Sequence, residues 1–163
     1  MIKTLFCCTA MLLLVSCGSK AQEKKVEKFP VEKTNQEWQQ ILTQDQYYIL
    51  RQAGTERPHS SILNKHYEEG DYHCAACDAL LFESEYKFDS GTGWPSFDRE
   101  VKDAVGYSTD YKLGYGRSEE HCANCGGHLG HVFDDGPRET TGKRHCINGD
   151  ALVFVPAKEK EEE

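Results

Sequence analysis

Cys122-Ala123-Asn124-Cys125-Gly126-Gly127, together with Cys74-Ala75-Ala76-Cys77, carries the information from which the architecture of this chain is read. Each stretch is a Cys-x-x-Cys hook. Two intervening residues let a single turn aim both sulfurs at one ion, and four thiolates suit Zn²⁺, which is borderline-soft and takes tetrahedral sulfur. Gly126-Gly127 supplies the backbone freedom that such a knuckle needs. One hook would be a weak signal, whereas two at this separation read as a closed, structural four-cysteine site whose binding energy is folding energy. Two alternatives stand beside zinc. The hooks could form disulfides, which are common in oxidising compartments. They could also be redox motifs of the thioredoxin kind, but that reading needs a βαβ context that this sequence lacks.

Between and around the hooks the chain falls into short runs broken by Gly, Asp and Asn, the texture of strands and turns. The runs expected to be strands are Gly70–His73, Leu80–Phe82, Val101–Val105, Tyr107–Asp110, Tyr115–Arg117, His131–Phe133, Arg144–Asn148 and Leu152–Val155. Upstream the pattern is helical. Thr34-x-x-Glu37 and Thr43-x-x-Gln46 both fit the capping box, the first followed by Trp38, Ile41 and Leu42 on one face. The second leads Tyr47, Ile49 and Leu50, with Gly54 as its stop. The fold class is therefore mainly β: antiparallel sheets stapled by a four-cysteine zinc site, with two short N-terminal helices, in one domain over residues 34–157.

Of the 163 residues, 19 are Lys or Arg and 27 are Asp or Glu. An acidic chain with no basic stripe is a poor partner for nucleic acid. The amino terminus poses a separate question. Lys3 and the apolar stretch Leu5–Val15 have the form of a signal peptide, too short for the roughly 20 residues that span a bilayer. Leu14-Val15-Ser16-Cys17 resembles the bacterial lipobox, in which the cysteine is lipidated. An ordinary signal peptide with a chance cysteine is the plainer reading. The lipobox predicts a signal over 1–16, an anchored flexible linker over 17–33, an exported lipoprotein facing the periplasm or the cell surface, and membrane attachment through Cys17 alone. Residues 158–163 form a charged tail expected to be disordered.

The chain has 8 cysteines. With Cys7 and Cys8 in the signal, Cys17 taken by lipid and four in the hooks, Cys146 is left over. An odd thiol in an exported protein is either intermolecular or reactive. In Arg144-His145-Cys146-Ile147-Asn148 the side chains alternate, so Arg144, Cys146 and Asn148 share a face while Ile147 turns to the core. Arg144 beside the thiol predicts a lowered pKa and a nucleophilic thiolate. A lone buried cysteine is more often structural, but these polar neighbours count against that. His128 and His131, three apart among glycines, could be metal ligands, a catalytic pair or surface residues. With four thiolates available, zinc does not need them. Trp94 in Ser90-Gly-Thr-Gly-Trp-Pro-Ser-Phe97 sits on a Gly-rich turn, where core packing is the commoner role.

The hooks, Ser90–Phe97, Gly130-His-Val-Phe-Asp-Asp-Gly-Pro137 and Arg144-His-Cys-Ile-Asn148, in this order, resemble the peptide-methionine (R)-S-oxide reductases over essentially the whole domain. The resemblance implies coiled antiparallel sheets bridged by zinc and an oxidoreductase acting on oxidised methionine in proteins or peptides, here as a monomer. It implies Cys146 as nucleophile, His131 and Asn148 lining the site, His128 and Arg144 nearby, and Trp94 with Phe133 receiving the substrate. Attack of the thiolate on the sulfoxide sulfur needs an acid to protonate the departing oxygen, for which His131 is preferred to His128. Many family members carry a recycling cysteine where this chain has Thr92, so a thioredoxin-like or other external thiol is expected to reduce Cys146. The rival classes are a zinc-binding adaptor, which would have no use for Arg144, Cys146, Asn148 and His131 together, and a cysteine hydrolase using a Cys/His pair.

Overall fold

Thr34 and Thr43 each open a helix with the box expected of them. In the computed structural model, which describes residues 28–157, the Thr34 backbone donates to Glu37 Oε2 at 2.7 Å and the Glu37 backbone donates back to Thr34 Oγ1 at 3.3 Å. Thr43 and Gln46 repeat the exchange at 3.0 and 3.2 Å. These boxes start α1 (Asn35–Ile41) and α2 (Gln44–Gln52). Helices this short are marginal alone, and packing holds them in place: Trp38, Ile49 and Leu50 are buried. The Arg51 guanidinium lies 4.8 Å from the Trp38 ring and donates to the Cys125 carbonyl at 3.0 Å, tying α2 to the second hook. Leu42 is buried, but Ile41 is exposed, so the apolar face of α1 is narrower than expected. The stop of α2 falls one residue before Gly54: Ala53 takes the left-handed conformation (φ 49°), and the Gly54 N–H returns to the Tyr48 carbonyl at 3.0 Å.

The described residues hold nine strands in two antiparallel sheets: β1 (Gly70–Cys74), β2 (Leu80–Glu83), β3 (Lys87–Phe88), β4 (Ser96–Phe97), β5 (Val105–Asp110), β6 (Arg117–Cys122), β7 (His128–Phe133), β8 (Arg144–Ile147) and β9 (Leu152–Pro156). One sheet has the order β2-β1-β9 and the other β3-β4-β8-β7-β6-β5. The core joins them. Phe82 of β2 stacks on Phe97 of β4 at 4.4 Å between centroids, and Tyr72 of β1 meets Phe97 edge-on at 4.9 Å. Burying each such ring stabilises the pair of sheets by about 1.5–3 kcal/mol. The hooks form the second join, because Cys74 ends β1 and Cys122 ends β6.

Two expected strands are corrected. Val101–Val105 is a turn up to Ala104, since Asp103 takes a left-handed φ of 60° and only Val105 enters β5. Tyr115–Arg117 lies in the turn after Gly114 (φ 82°), and the strand begins at its last residue and runs on through Ser-Glu-Glu-His-Cys. The two-residue strands β3 and β4 carry no periodicity and were not expected. Of the expected linker over 17–33, residues 28–33 are described. Val31 donates to the Asn124 carbonyl at 2.9 Å, and Phe29 meets His121 edge-on. The signal over 1–16, the Cys17 anchor and the tail over 158–163 lie outside the described residues.

Candidate active site and metal centre

Antiparallel register places Cys146 on β8 between two neighbours, Ser96 on β4 and His131 on β7. The strands come this close because position 130 is glycine: a Cβ there would lie 2.0 Å from the Cys146 carbonyl oxygen. Above the thiol is the turn Ser90–Trp94, which reverses through Gly91 (φ 71°) and Gly93 (φ 96°). Hydroxyls fix it. Ser90 Oγ lies 2.7 Å from Ser96 Oγ and 2.8 Å from Thr92 Oγ1, and Thr92 favours the ionised form of Cys146.

Cys146 opens into a cavity of about 130 Å³. Trp94 and Phe133 give it apolar walls, His131 and Arg117 polar ones, with Asn148, Thr55 and Gly130 completing it. The Trp94 indole is held by its N–H donating to the Glu56 carbonyl at 3.3 Å. His131 Nε2 lies 3.0 Å from Asp110 Oδ2, the same oxygen that accepts from the Arg117 guanidinium. Asp110 is held ionised. The Lys112 backbone N–H, with His131 and Arg117, keeps its carboxyl well below the usual carboxylate range. Burial pushes His131 below its ordinary 6.5, outweighing the pull of Asp110.

The electrostatic expectation for Cys146 is reversed. Burial raises the thiol above its ordinary 9.0, and Arg144 and Thr92, which favour the thiolate, offset only part of this. Removing the charged form from water outweighs one cation that is already engaged. The Arg144 guanidinium donates to both oxygens of Asp135, at 2.8 and 2.9 Å, and lies 4.4 Å from the centre of the Phe133 ring, behind the cavity wall.

The other expected site residues divide between lining and support. Asn148 lines the cavity, yet its amide is committed to the framework: Nδ2 donates to the Leu129 carbonyl at 2.8 Å, and Oδ1 accepts from the Glu56 N–H at 3.0 Å. His128 stands behind His131, their ring centroids 5.5 Å apart, with Nδ1 2.7 Å from Glu119 Oε1. It is not part of the cavity wall. Sequence reading did not find Asp110, Arg117, Thr55 or the Glu56 hub. Asp110 and Arg117 face each other across a hairpin, and no local spacing marks them as one unit with His131.

The four hook sulfurs lie within 4.8 Å of one another. Cys74 Sγ is 3.8 Å from Cys125 Sγ, and Cys77 Sγ is 3.6 Å from Cys122 Sγ. A disulfide requires about 2.05 Å, so these pairs are not disulfides. Zinc–sulfur bonds of about 2.3 Å in a tetrahedron set sulfurs about 3.8 Å apart. The four thiols thus make a site able to hold a metal ion, and neither His128 nor His131 belongs to it.

The sequence pattern of the SelR domain matches residues 42–156. Among curated proteins, the peptide methionine sulfoxide reductase MsrB of Chromohalobacter salexigens is 51% identical over 127 residues, covering 77% of this chain and 96% of that protein. The MsrB of Agrobacterium fabrum is 53% identical over 127 residues, covering 77% and 93%. The probable methionine-R-sulfoxide reductase B of Caenorhabditis elegans is 45% identical over 132 residues, covering 80% and 87%.

Proposed function

The chain belongs to the SelR-domain family of methionine sulfoxide reductases and is an oxidoreductase, and on that premise we propose that Cys146 reduces methionine-R-sulfoxide in proteins to methionine. The observation that carries this reading is the placement of the Cys146 thiol in a small cavity walled by Trp94 and Phe133, with the His131–Asp110–Arg117 unit beside it. The apolar walls suit an S-methyl group, since sulfur–aromatic contact contributes about 0.3–1.5 kcal/mol. The Cys146 thiolate attacks the sulfoxide sulfur as a proton reaches the oxygen, forming an S–S bond, and the hydroxyl then passes to the cysteine sulfur as the S–O and S–S bonds break. The sulfoxide becomes a thioether, and Cys146 becomes the sulfenic acid, a two-electron exchange. His131 delivers that proton after gaining one itself, with Asp110 holding its Nε2 side. Arg144 steadies Phe133 and favours the thiolate, and Asn148 positions the Glu56–Trp94 wall.

With Thr92 beside the sulfur, the sulfenic acid is resolved from outside. One thiol of a thioredoxin-like or other donor displaces water to give a mixed disulfide, and a second thiol releases Cys146. The metal at the hooks is zinc, which suits four thiolates and holds the two sheets together; the reaction at Cys146 does not involve it. At the amino terminus the reading is a signal over 1–16 and a lipid on Cys17, giving an exported, membrane-tethered monomer. Among the described residues no helix is long and apolar enough to cross a membrane. Labelling with a fatty-acid analogue tests the tether: Cys17→Ala removes the label, and a label that persists contradicts the anchor.

The test of function is turnover of the two separated epimers of dabsylated methionine sulfoxide, with dithiothreitol as donor, for the unaltered protein and Cys146→Ser. Consumption of the R epimer alone, abolished in the variant, is the expected result. No consumption by folded, zinc-loaded protein overturns the reading in favour of an adaptor. Ester hydrolysis without sulfoxide turnover overturns it in favour of a hydrolase.

A further inference from the structure

The cavity is small. A cavity of about 150 Å³ with apolar walls holds benzene, six heavy atoms; the 130 Å³ beside Cys146 holds the side chain of methionine sulfoxide and leaves its backbone outside. The chain on either side of an oxidised residue must therefore lie over the rim. A turn beside that rim, next to the wall residue Arg117, has an unusual composition. The turn joining β5 to β6 reads Tyr111-Lys-Leu113-Gly-Tyr115-Gly116, and it exposes Tyr111 by 69%, Leu113 by 60% and Tyr115 by 59%.

The place of this turn is set by what holds it. The rung at its base is Asp110 opposite Arg117, the carboxylate that holds His131 and a side chain of the cavity wall. From its tip Lys112 Nζ donates to the Ala53 carbonyl at 2.8 Å, two residues before Thr55, which lines the cavity from the side of α2. The turn thus adjoins the wall residue Arg117 and is tied to the segment that leads to Thr55. Three large apolar side chains within six residues of an acidic surface are costly to leave in water and mark a contact surface. Tyrosine suits contact with many sequences, because it offers a large, stiff, amphipathic face at low entropic cost.

We propose that Tyr111, Leu113 and Tyr115 form a docking surface for the extended polypeptide that flanks an oxidised methionine whose side chain occupies the cavity. The inference rests on the reductase reading above and names the residues that make a polypeptide a better substrate than the free amino acid. The hairpin gains nothing from a free substrate, which ends at the rim.

The test uses the full chain with dithiothreitol as donor and two substrates: N-acetyl-methionine-R-sulfoxide and an unstructured peptide bearing one central methionine-R-sulfoxide. In the triple variant Tyr111→Ser, Leu113→Ser, Tyr115→Ser, kcat/KM for the peptide falls about tenfold, chiefly through KM, while that for the small substrate stays within about twofold. Should the triple variant fail to fold, Tyr111→Ser and Tyr115→Ser singly make the same comparison. Equal loss on both substrates overturns the proposal, because the turn then only shapes the cavity. No loss on either also overturns it. A loss seen only when a thioredoxin-like protein replaces dithiothreitol overturns it as well, assigning the surface to the reductant. Failure of the unaltered protein to turn over either substrate is a different result: it removes the reductase reading, and this inference with it.

Discussion

Substitution of Asn148 by alanine separates the two roles that a polar residue beside a reactive thiol can have. Asn148 is 3% exposed, and its amide oxygen is the acceptor for the Glu56 N–H. Its amide nitrogen shares the Leu129 carbonyl with its own backbone N–H at 2.9 Å, so that carbonyl keeps a partner when the side chain goes. The Glu56 N–H does not. The loss is therefore one framework hydrogen bond, about 1 kcal/mol, plus one orphaned buried donor, about 1–3 kcal/mol, or about 2–4 kcal/mol together. Glu56 is also the residue whose carbonyl holds Trp94 and whose carboxylate accepts from the Gly149 and Asp150 N–H groups at 2.9 and 3.0 Å. Loosening it moves the aromatic wall. Equilibrium unfolding in urea with the metal bound, followed by Trp fluorescence, should show a midpoint lowered by about 1–2 M for an m-value of about 2 kcal/mol/M. Turnover should fall through both kcat and KM. An unfolding midpoint equal to that of the unaltered protein, with turnover abolished, would refute the clamp and make Asn148 a group that acts on the substrate directly.

Burial raises Cys146 above 9.0 and lowers His131 below 6.5, so thiolate and imidazolium coexist as a small, constant fraction between the two pKa values. Below the His131 value the thiolate fraction alone still falls, and above the Cys146 value only the imidazolium does; kcat/KM is therefore flat through neutrality, and limbs lying inside 6.5–9.0 would contradict these shifts. Thr92 is close enough to Cys146 to favour its thiolate, so Thr92→Cys puts a thiol near the sulfenic acid. One turnover without reductant should then leave a disulfide between position 92 and Cys146 on peptide mapping; absence of that bond would show that the turn does not close on the sulfur. Removing the hook metal with a chelator should lower the unfolding temperature by more than about 10 °C, because the site joins both sheets; an unchanged temperature would mean that the ring core alone holds them.

What was legible in the sequence was local, and what was missed came from contacts between distant strands. The helices could be read because a capping box is closed within four residues: Thr34 with Glu37, Thr43 with Gln46. The hooks could be read because two cysteines per turn carry their own geometry. Strand alternation put Arg144, Cys146 and Asn148 on one face; Cys146 and Asn148 line the cavity, and Arg144 does not. β6 was largely missed because Ser-Glu-Glu-His has a charged texture. Glu120 is nonetheless fully buried there, since His145 on β8 meets its carboxylate. The thiol pKa was misjudged for the same reason. Arg144 is visible two residues away, but the burial that outweighs it comes from a cavity built by Trp94, His131 and Phe133 on other elements. The unit of Asp110, Arg117 and His131 exists only once β5, β6 and β7 are paired in register.

The central claim is that Cys146 itself takes the oxygen from the sulfoxide. A single-turnover experiment tests it most directly: reductant-free protein is mixed with methionine-R-sulfoxide, methionine formed is counted per chain, and a sulfenic-acid probe is located by peptide mapping. The expected result is one methionine per chain with the probe on Cys146 and no disulfide to that residue. Methionine formed with Cys146 unlabelled and unoxidised, or formed equally by Cys146→Ser, would contradict the claim.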